Sequence, residues 1–158
     1  MGERDKAMSY PGLREVSVTD GQLCLNGAPP YQRGVLDQGY FPEGWYTATT
    51  DDALRRDVEL TLAMGFNCAR KHQKAEDPRY LYWADKLGLM VWAEMPSGRL
   101  FSTQLIESLT SEWMDLIKLD RAHPSIITWV PFNESWGVWH QSERPEERAF
   151  VDAVTSLT

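Results

Sequence analysis

Apolar and polar residues alternate with a period of two at residues 14–18 and 22–25, on either side of Asp20 and Gly21, which predicts a β-hairpin. A second turn follows at Asn26 and Gly27. From Tyr31 onward the pattern changes to short apolar strands alternating with helical stripes, the signature of a parallel sheet with crossover helices. Gly34, Val35 and Leu36 make the first strand of this series. A long Gly- and aromatic-rich loop through Tyr40, Pro42, Gly44 and Tyr46 follows, of a length that usually carries function. Leu54, Val58 and Leu62 then recur on one face of a helix that Thr50 or Asp51 can cap and Gly65 stops.

Residues 66–69 form the second strand. Asp77 and Pro78 open the next helix, on which Tyr80, Trp83, Ala84 and Leu87 stand at i, i+3, i+4 and i+7 before Gly88 ends it. The third strand is 89–92. Ser102 or Thr103 begins a longer helix through Leu105, Leu109, Trp113, Leu116 and Ile117 to Arg121, with Pro124 beyond its end. The fourth strand, 125–130, is β-branched and aromatic, and its C-terminal end delivers Asn133 and Glu134 into a loop containing Trp136 and Trp139. Pro145, Glu146 and Glu147 suit the first turn of a last helix, with Phe150, Val151 and Val154 facing inward. Four strand–helix units in succession are half of an eight-stranded barrel or a small open sheet, in either case an α/β fold.

The 158 residues, 42% hydrophobic and 25% charged, suffice for one core. A net charge of −7 and a pI near 4.9 argue against nucleic acid or an anionic membrane surface as partner, and a neutral ligand fits better. The first seven residues are charged with no apolar stretch behind them, unlike a secretory signal, and no apolar run approaches the roughly 20 residues of a membrane span. A cytoplasmic location is the resulting expectation. Cys24 and Cys68 lie far apart, and Cys68 sits in an apolar run, so neither a disulfide nor a metal site is expected.

Glu134, at the mouth of a buried strand, is the first catalytic candidate. Asp37 and Gln38 close the first strand and Glu94 the third, so all three can project into the mouth and meet a ligand; pairing of the carboxylates with Arg70 or Lys71 competes with that role. His72 suits either a substrate hydroxyl or a packed strand end. Trp136, with Trp139 and His140, offers a flat apolar platform for a ligand, with core packing as the alternative. His123, followed by Pro124 at a helix-to-strand turn on the opposite end, reads as structural.

The run Asp120-Arg121-Ala122-His123-Pro124-Ser125-Ile126-Ile127 leading to Asn133-Glu134-Ser135-Trp136-Gly137 resembles glycoside hydrolase family 2, the family of β-galactosidases, β-glucuronidases and β-mannosidases. Residues 64–72, residues 82–92, and residues 25–29 before Arg33-Gly34-Val35 resemble it in the same order. The resemblance implies that residues 14–158 are the first four units of a (β/α)8 barrel, with residues 1–13 as a linker from a preceding immunoglobulin-like sandwich domain. It also implies retaining hydrolysis of a terminal β-linked sugar, β-galactosidase-like, with Glu134 as general acid/base. Asn133 corresponds to the residue on the sugar 2-hydroxyl, and Arg70 to the arginine that holds the nucleophile carboxylate.

The family places that nucleophile at the end of the seventh strand, whereas this sequence stops after the fourth unit. The chain is therefore expected to be an inactive fragment of a hydrolase. No cofactor is expected, although a divalent or monovalent cation is possible by family resemblance. The alternative expectation is a non-catalytic, carbohydrate-binding or self-associating half-barrel, a homo-oligomer joined through exposed barrel edges.

Overall fold

The computed structural model describes residues 9–158. Residues 1–8, which include the charged N-terminus and most of the expected linker, lie outside the described residues. The hairpin consists of β1 (Val16–Thr19) and β2 (Gln22–Leu25), paired antiparallel. Asp20 and Gly21 both have positive φ, 51° and 75°, the turn whose twist matches that of the flanking strands.

The remaining strands, β3 (Gly34–Asp37), β4 (Cys68–Lys71), β5 (Met90–Glu94) and β6 (Ile126–Val130), form one parallel sheet in sequential order. Each is followed by a helix: α1 (Asp51–Ala63), α2 (Pro78–Leu87), α3 (Thr103–Asp120) and α4 (Pro145–Ser156). Sequential parallel neighbours with right-handed crossovers put their helices on one face. That face is dry, with Val35, Ala69, Val91 and Ile126 packed against Leu54 and Val58 of α1 and Tyr80, Leu81 and Ala84 of α2. A second cluster joins Leu109 and Trp113 of α3 to Phe150 and Val154 of α4, and Trp129 touches both clusters.

The opposite face is open. Leu36 is 56% exposed there, and Gln32, Cys68, Arg70 and Trp92 line a cleft of about 420 Å³. Among the described residues, β3 and β6 each pair on one side only.

Thr50, Asp77 and Ser102 cap their helices through side-chain acceptors on backbone N–H groups, and Gly88 ends α2 in the left-handed region at φ 82°. Two strand ends differ from the sequence reading. β4 runs to Lys71 and not 66–69, and β5 runs to Glu94 and not 89–92. The apolar runs mark where burial begins, but the ladders continue through charged residues that find partners inside the fold.

At the N-terminal end of the strands, Asp85 accepts hydrogen bonds from the Tyr10 hydroxyl at 2.7 Å and from Ser125 N–H at 2.9 Å. It also pairs with His123 Nδ1 at 2.6 Å, so His123 ties α2 to the turn before β6. Burial, with Asp85 beside it, holds the Tyr10 hydroxyl far above its ordinary titration range. Arg14 Nε donates to Ile126 O at 2.7 Å, which seats the segment preceding β1 against the sheet.

Candidate active site

Successive residues of a strand point to opposite faces, so Arg70 and Lys71, adjacent on β4, serve different sides of the sheet. Arg70 points to the open face. Its Nε donates to Glu94 Oε2 at 2.5 Å and its Nη2 to Asn133 Oδ1 at 2.7 Å. Glu94 is 0% exposed, and its other oxygen accepts from the backbone N–H of Gln73 at 2.9 Å. The Glu94 carboxylate is thus committed within the protein and serves to hold Arg70. Asn133 is buried, and because its Oδ1 accepts from Arg70, its Nδ2 is the donor left for a ligand hydroxyl.

Glu134 follows Asn133 on the loop after β6 and is exposed. It has φ 48° and Ser135 φ 64°, two non-glycine residues in the left-handed region, followed by Gly137 at φ 82°. The turn is closed by Trp136 N–H to Asn133 O at 2.9 Å and Val138 N–H to Ser135 O at 2.9 Å, with Gln141 Nε2 donating to Ser135 Oγ at 2.6 Å. Backbone strain at a non-glycine residue persists only where its surroundings enforce it. These bonds supply that enforcement. Trp136 and Trp139 lie beyond, with ring centroids 4.6 Å apart in an edge arrangement.

Gln38 and His72 meet at the ends of β3 and β4, Nε2 to Nδ1 at 3.2 Å. With Tyr40, Tyr46 and Gln73 they line a cleft of about 200 Å³. The Tyr46 hydroxyl, pushed up by burial and by neighbouring Tyr40 and Glu76, donates to Gln73 O at 3.0 Å.

Asp37 does not join this set. It lies on the helix side of the sheet, where its Oδ2 pairs with Lys71 Nζ at 2.5 Å and its Oδ1 accepts from Gly39 N–H at 2.7 Å. Of the two uses open to Asp37, a mouth carboxylate or a structural pair, the geometry matches the pair. Glu94 likewise pairs with Arg70, although on the open face. Arg70, Glu94 and Asn133 are therefore joined directly, Glu134 and Trp136 follow on the same loop as Asn133, and Gln38 and His72 form a separate contact.

The pairing of Lys71 weighed from the sequence extends to two residues that sequence reasoning missed, Glu76 and Lys74. Lys71, 1% exposed, also pairs with Glu76 Oε2 at 2.7 Å and stands 4.1 Å from the centre of the Tyr80 ring. Lys74, also buried, pairs with Glu76 Oε1 at 3.1 Å, donates to Gly39 O at 2.8 Å and stands 4.6 Å from the Tyr46 ring. These two lysines anchor the β3–α1 loop, which carries Tyr40 and Tyr46, to the β4–α2 loop. The available signal was two lysines and a glutamate directly following a buried strand. Among the described residues no three His, Cys, Asp or Glu side chains converge as metal ligands would, and no helix is long and apolar enough to cross a membrane.

The chain resembles known proteins over most of its length. Beta-galactosidases of Vibrio vulnificus and Photobacterium profundum are 34% and 35% identical over 85% and 78% of it. It spans only 14% and 13% of their lengths. A β-glucuronidase structure from Ruminococcus gnavus, in complex with C6-substituted uronic isofagomine, superposes with a TM-score of 0.81 at 23% identity, covering 93% of this chain and 25% of that one. The Parabacteroides merdae β-glucuronidase gives 0.74 at 24% identity, with 90% and 18% covered. At these identities the two structures speak to the fold alone. Residues 16–157 match the family model described as "Glycosyl hydrolases family 2, TIM barrel domain", and the chain belongs to that family.

Proposed function

We propose that the chain provides the acid/base half of a retaining β-glycosidase site, β-galactosidase-like in substrate. The observation that carries this reading is the pair at the end of β6: Asn133 buried and fixed by Arg70, with Glu134 exposed beside it. Retention requires two carboxyl groups about 5 Å apart, one to protonate the leaving oxygen and one to attack the anomeric carbon. Glu134 takes the first part. It donates its proton as the glycosidic bond breaks, then as carboxylate removes a proton from the water that hydrolyses the glycosyl intermediate.

Asn133 Nδ2 donates to the sugar 2-hydroxyl, a contact that strengthens as the ring gains positive charge. The guanidinium of Arg70, already engaged by Glu94 and Asn133, has N–H groups remaining for a further carboxylate, as the nucleophile would be. Gln38 and His72 hold other hydroxyls, and Trp136 covers an apolar surface of the substrate. Glu94 is a positioning residue. The nucleophile is assigned to polypeptide other than these 158 residues, since Glu94 and Asp37 are engaged with Arg70 and Lys71.

Hydrolysis of nitrophenyl β-galactoside, β-glucuronide and β-mannoside tests the reading. The 158-residue chain alone should give no turnover. Joined to strands that complete the barrel, it should cleave the galactoside, and Glu134→Gln should then lower kcat by about 10²-fold or more. The loss should be greatest for poor leaving groups. Equal activity of the Glu134→Gln protein would reject the assignment.

The single-sided pairing of β3 and β6 favours a second reading, a self-associating half-barrel. Light scattering separates the two, because a stable dimer of the isolated chain supports mutual edge closure and a monomer argues against it.

A further inference from the structure

We infer that the β5–β6 end of the mouth binds an aromatic aglycone on Trp136 and Trp139. This rests on the glycosidase reading above and narrows it to the leaving-group side. Hydrogen-bonding groups run along the rest of the mouth: Gln38 and His72 at the ends of β3 and β4, with the exposed Tyr40 and Tyr46 beside them, then Arg70, Glu94 and Asn133. Beyond Glu134 stand two indole rings, which carry no hydroxyl. Trp136 is 36% exposed and Trp139 47%, and their edge-to-face arrangement forms an apolar corner.

Several polar atoms around that corner are engaged within the protein. Trp139 Nε1 donates to Arg99 O at 3.0 Å, and Gln141 Nε2 donates to Ser135 Oγ at 2.6 Å. The Arg148 guanidinium donates to Gln141 O and Ser142 O, each at 3.1 Å. A sugar at this position would compete with these internal bonds for hydroxyl partners, whereas an aromatic ring needs only a flat face and the exclusion of water.

The corner is also held rigidly. A Cβ on Gly137 would stand 2.9 Å from Leu105 Cδ2 and 3.0 Å from Gly98 O, so the Glu134 loop seats directly against the loop after β5. The leaving-group side follows from chemistry. The acid must reach the glycosidic oxygen, the atom shared by sugar and aglycone. With sugar-binding groups on the β3–β4 side of Glu134, the group beyond that oxygen extends toward the tryptophans.

The test is NMR of the isolated chain with ¹⁵N-labelled tryptophan, asparagine and arginine side chains, titrated with phenyl β-galactoside, methyl β-galactoside and lactose. Phenyl β-galactoside should shift the Trp136 and Trp139 indole signals and bind about tenfold more tightly than the methyl glycoside, in line with a stacked ring contact. Trp136→Ala, at an exposed position, should erase that preference and Trp136→Phe should keep most of it.

The inference fails if methyl β-galactoside or lactose shifts the two indoles as strongly. It fails too if Trp136→Ala keeps the preference, or if the phenyl glycoside shifts neither indole up to its solubility limit. Indole shifts with silent Arg70 and Asn133 side chains would reject the sugar-site reading and leave the aromatic platform standing. Shifts at Arg70 and Asn133 with silent indoles would do the reverse.

Discussion

Replacing Arg70 with methionine keeps the aliphatic bulk and removes the charge from a pair in which Glu94 is fully buried. Glu94 would then keep one hydrogen bond, from Gln73 N–H, against a cost of burial that the guanidinium had offset. Breaking a buried pair by deleting one partner costs about 3–5 kcal/mol, well above the value of a surface pair, because an uncompensated charge remains. Asn133 Oδ1 would lose its donor as well. Against a typical domain stability of about 5–15 kcal/mol the loss is severe. For a chain of this size it corresponds to a fall in Tm of about 6–20 °C.

Urea unfolding followed by tryptophan fluorescence reads the change as a shift in midpoint at constant slope. The double variant Arg70→Met with Glu94→Leu removes both charges and should recover most of the loss, since apolar replacements of a buried pair are often neutral. A cost below about 1 kcal/mol for Arg70→Met, or a double variant no more stable than the single, would refute the argument that Glu94 is held by Arg70.

Burial pushes the Asp120 carboxyl up to about 6, with His123 opposing, and its Oδ1 has no hydrogen-bond partner. The folded state therefore binds more protons than the unfolded state between about pH 4 and 6, and stability falls as pH rises through that window. Asp120→Asn should flatten the slope and raise stability at pH 7 by about 1–2 kcal/mol, as measured by urea midpoints from about pH 4 to 7. Gly39→Ala should be costly, because φ is 66° there and a Cβ would stand 2.5 Å from Lys74 Nζ. A loss of about 1–3 kcal/mol in the same assay, with faster proteolysis in the loop carrying Tyr40 and Tyr46, is the expected result. Burial raises the Cys68 thiol to about 11, so it should resist a disulfide reagent at about pH 8 in the native chain and react quickly in urea.

The order of strands and helices was readable because each element announces itself locally. Thr50, Asp77 and Ser102 cap helices where their sequence context predicts caps, and Gly88 stops α2 in the left-handed conformation. Asn133 and Glu134 were placed correctly at the end of β6 for the same reason: an apolar run bounded by turn residues is a local signal. Where the sequence reading stopped short, the missing information was distant in the chain. Inside β4, Lys71 is met by Asp37 from 34 positions away, and inside β5 Glu94 is met by Arg70 from 24 positions away. No periodicity reveals which face of a strand a charged residue will find paired. The same limit left Asp37 undecided between mouth and interior, and hid Lys74 altogether.

Arg70 and Lys71 also bear on how the sheet avoids assembling wrongly. Parallel strands buried on both sides often lack the inside–outside alternation that distinguishes one pairing offset from the next. In β4 the two cations engage Glu94 on one side and Asp37 with Glu76 on the other. A slip of one residue would exchange the faces of both cations and strand all three carboxylates. Misaligned intermediates would thus be penalised electrostatically during folding, before close packing could discriminate among them.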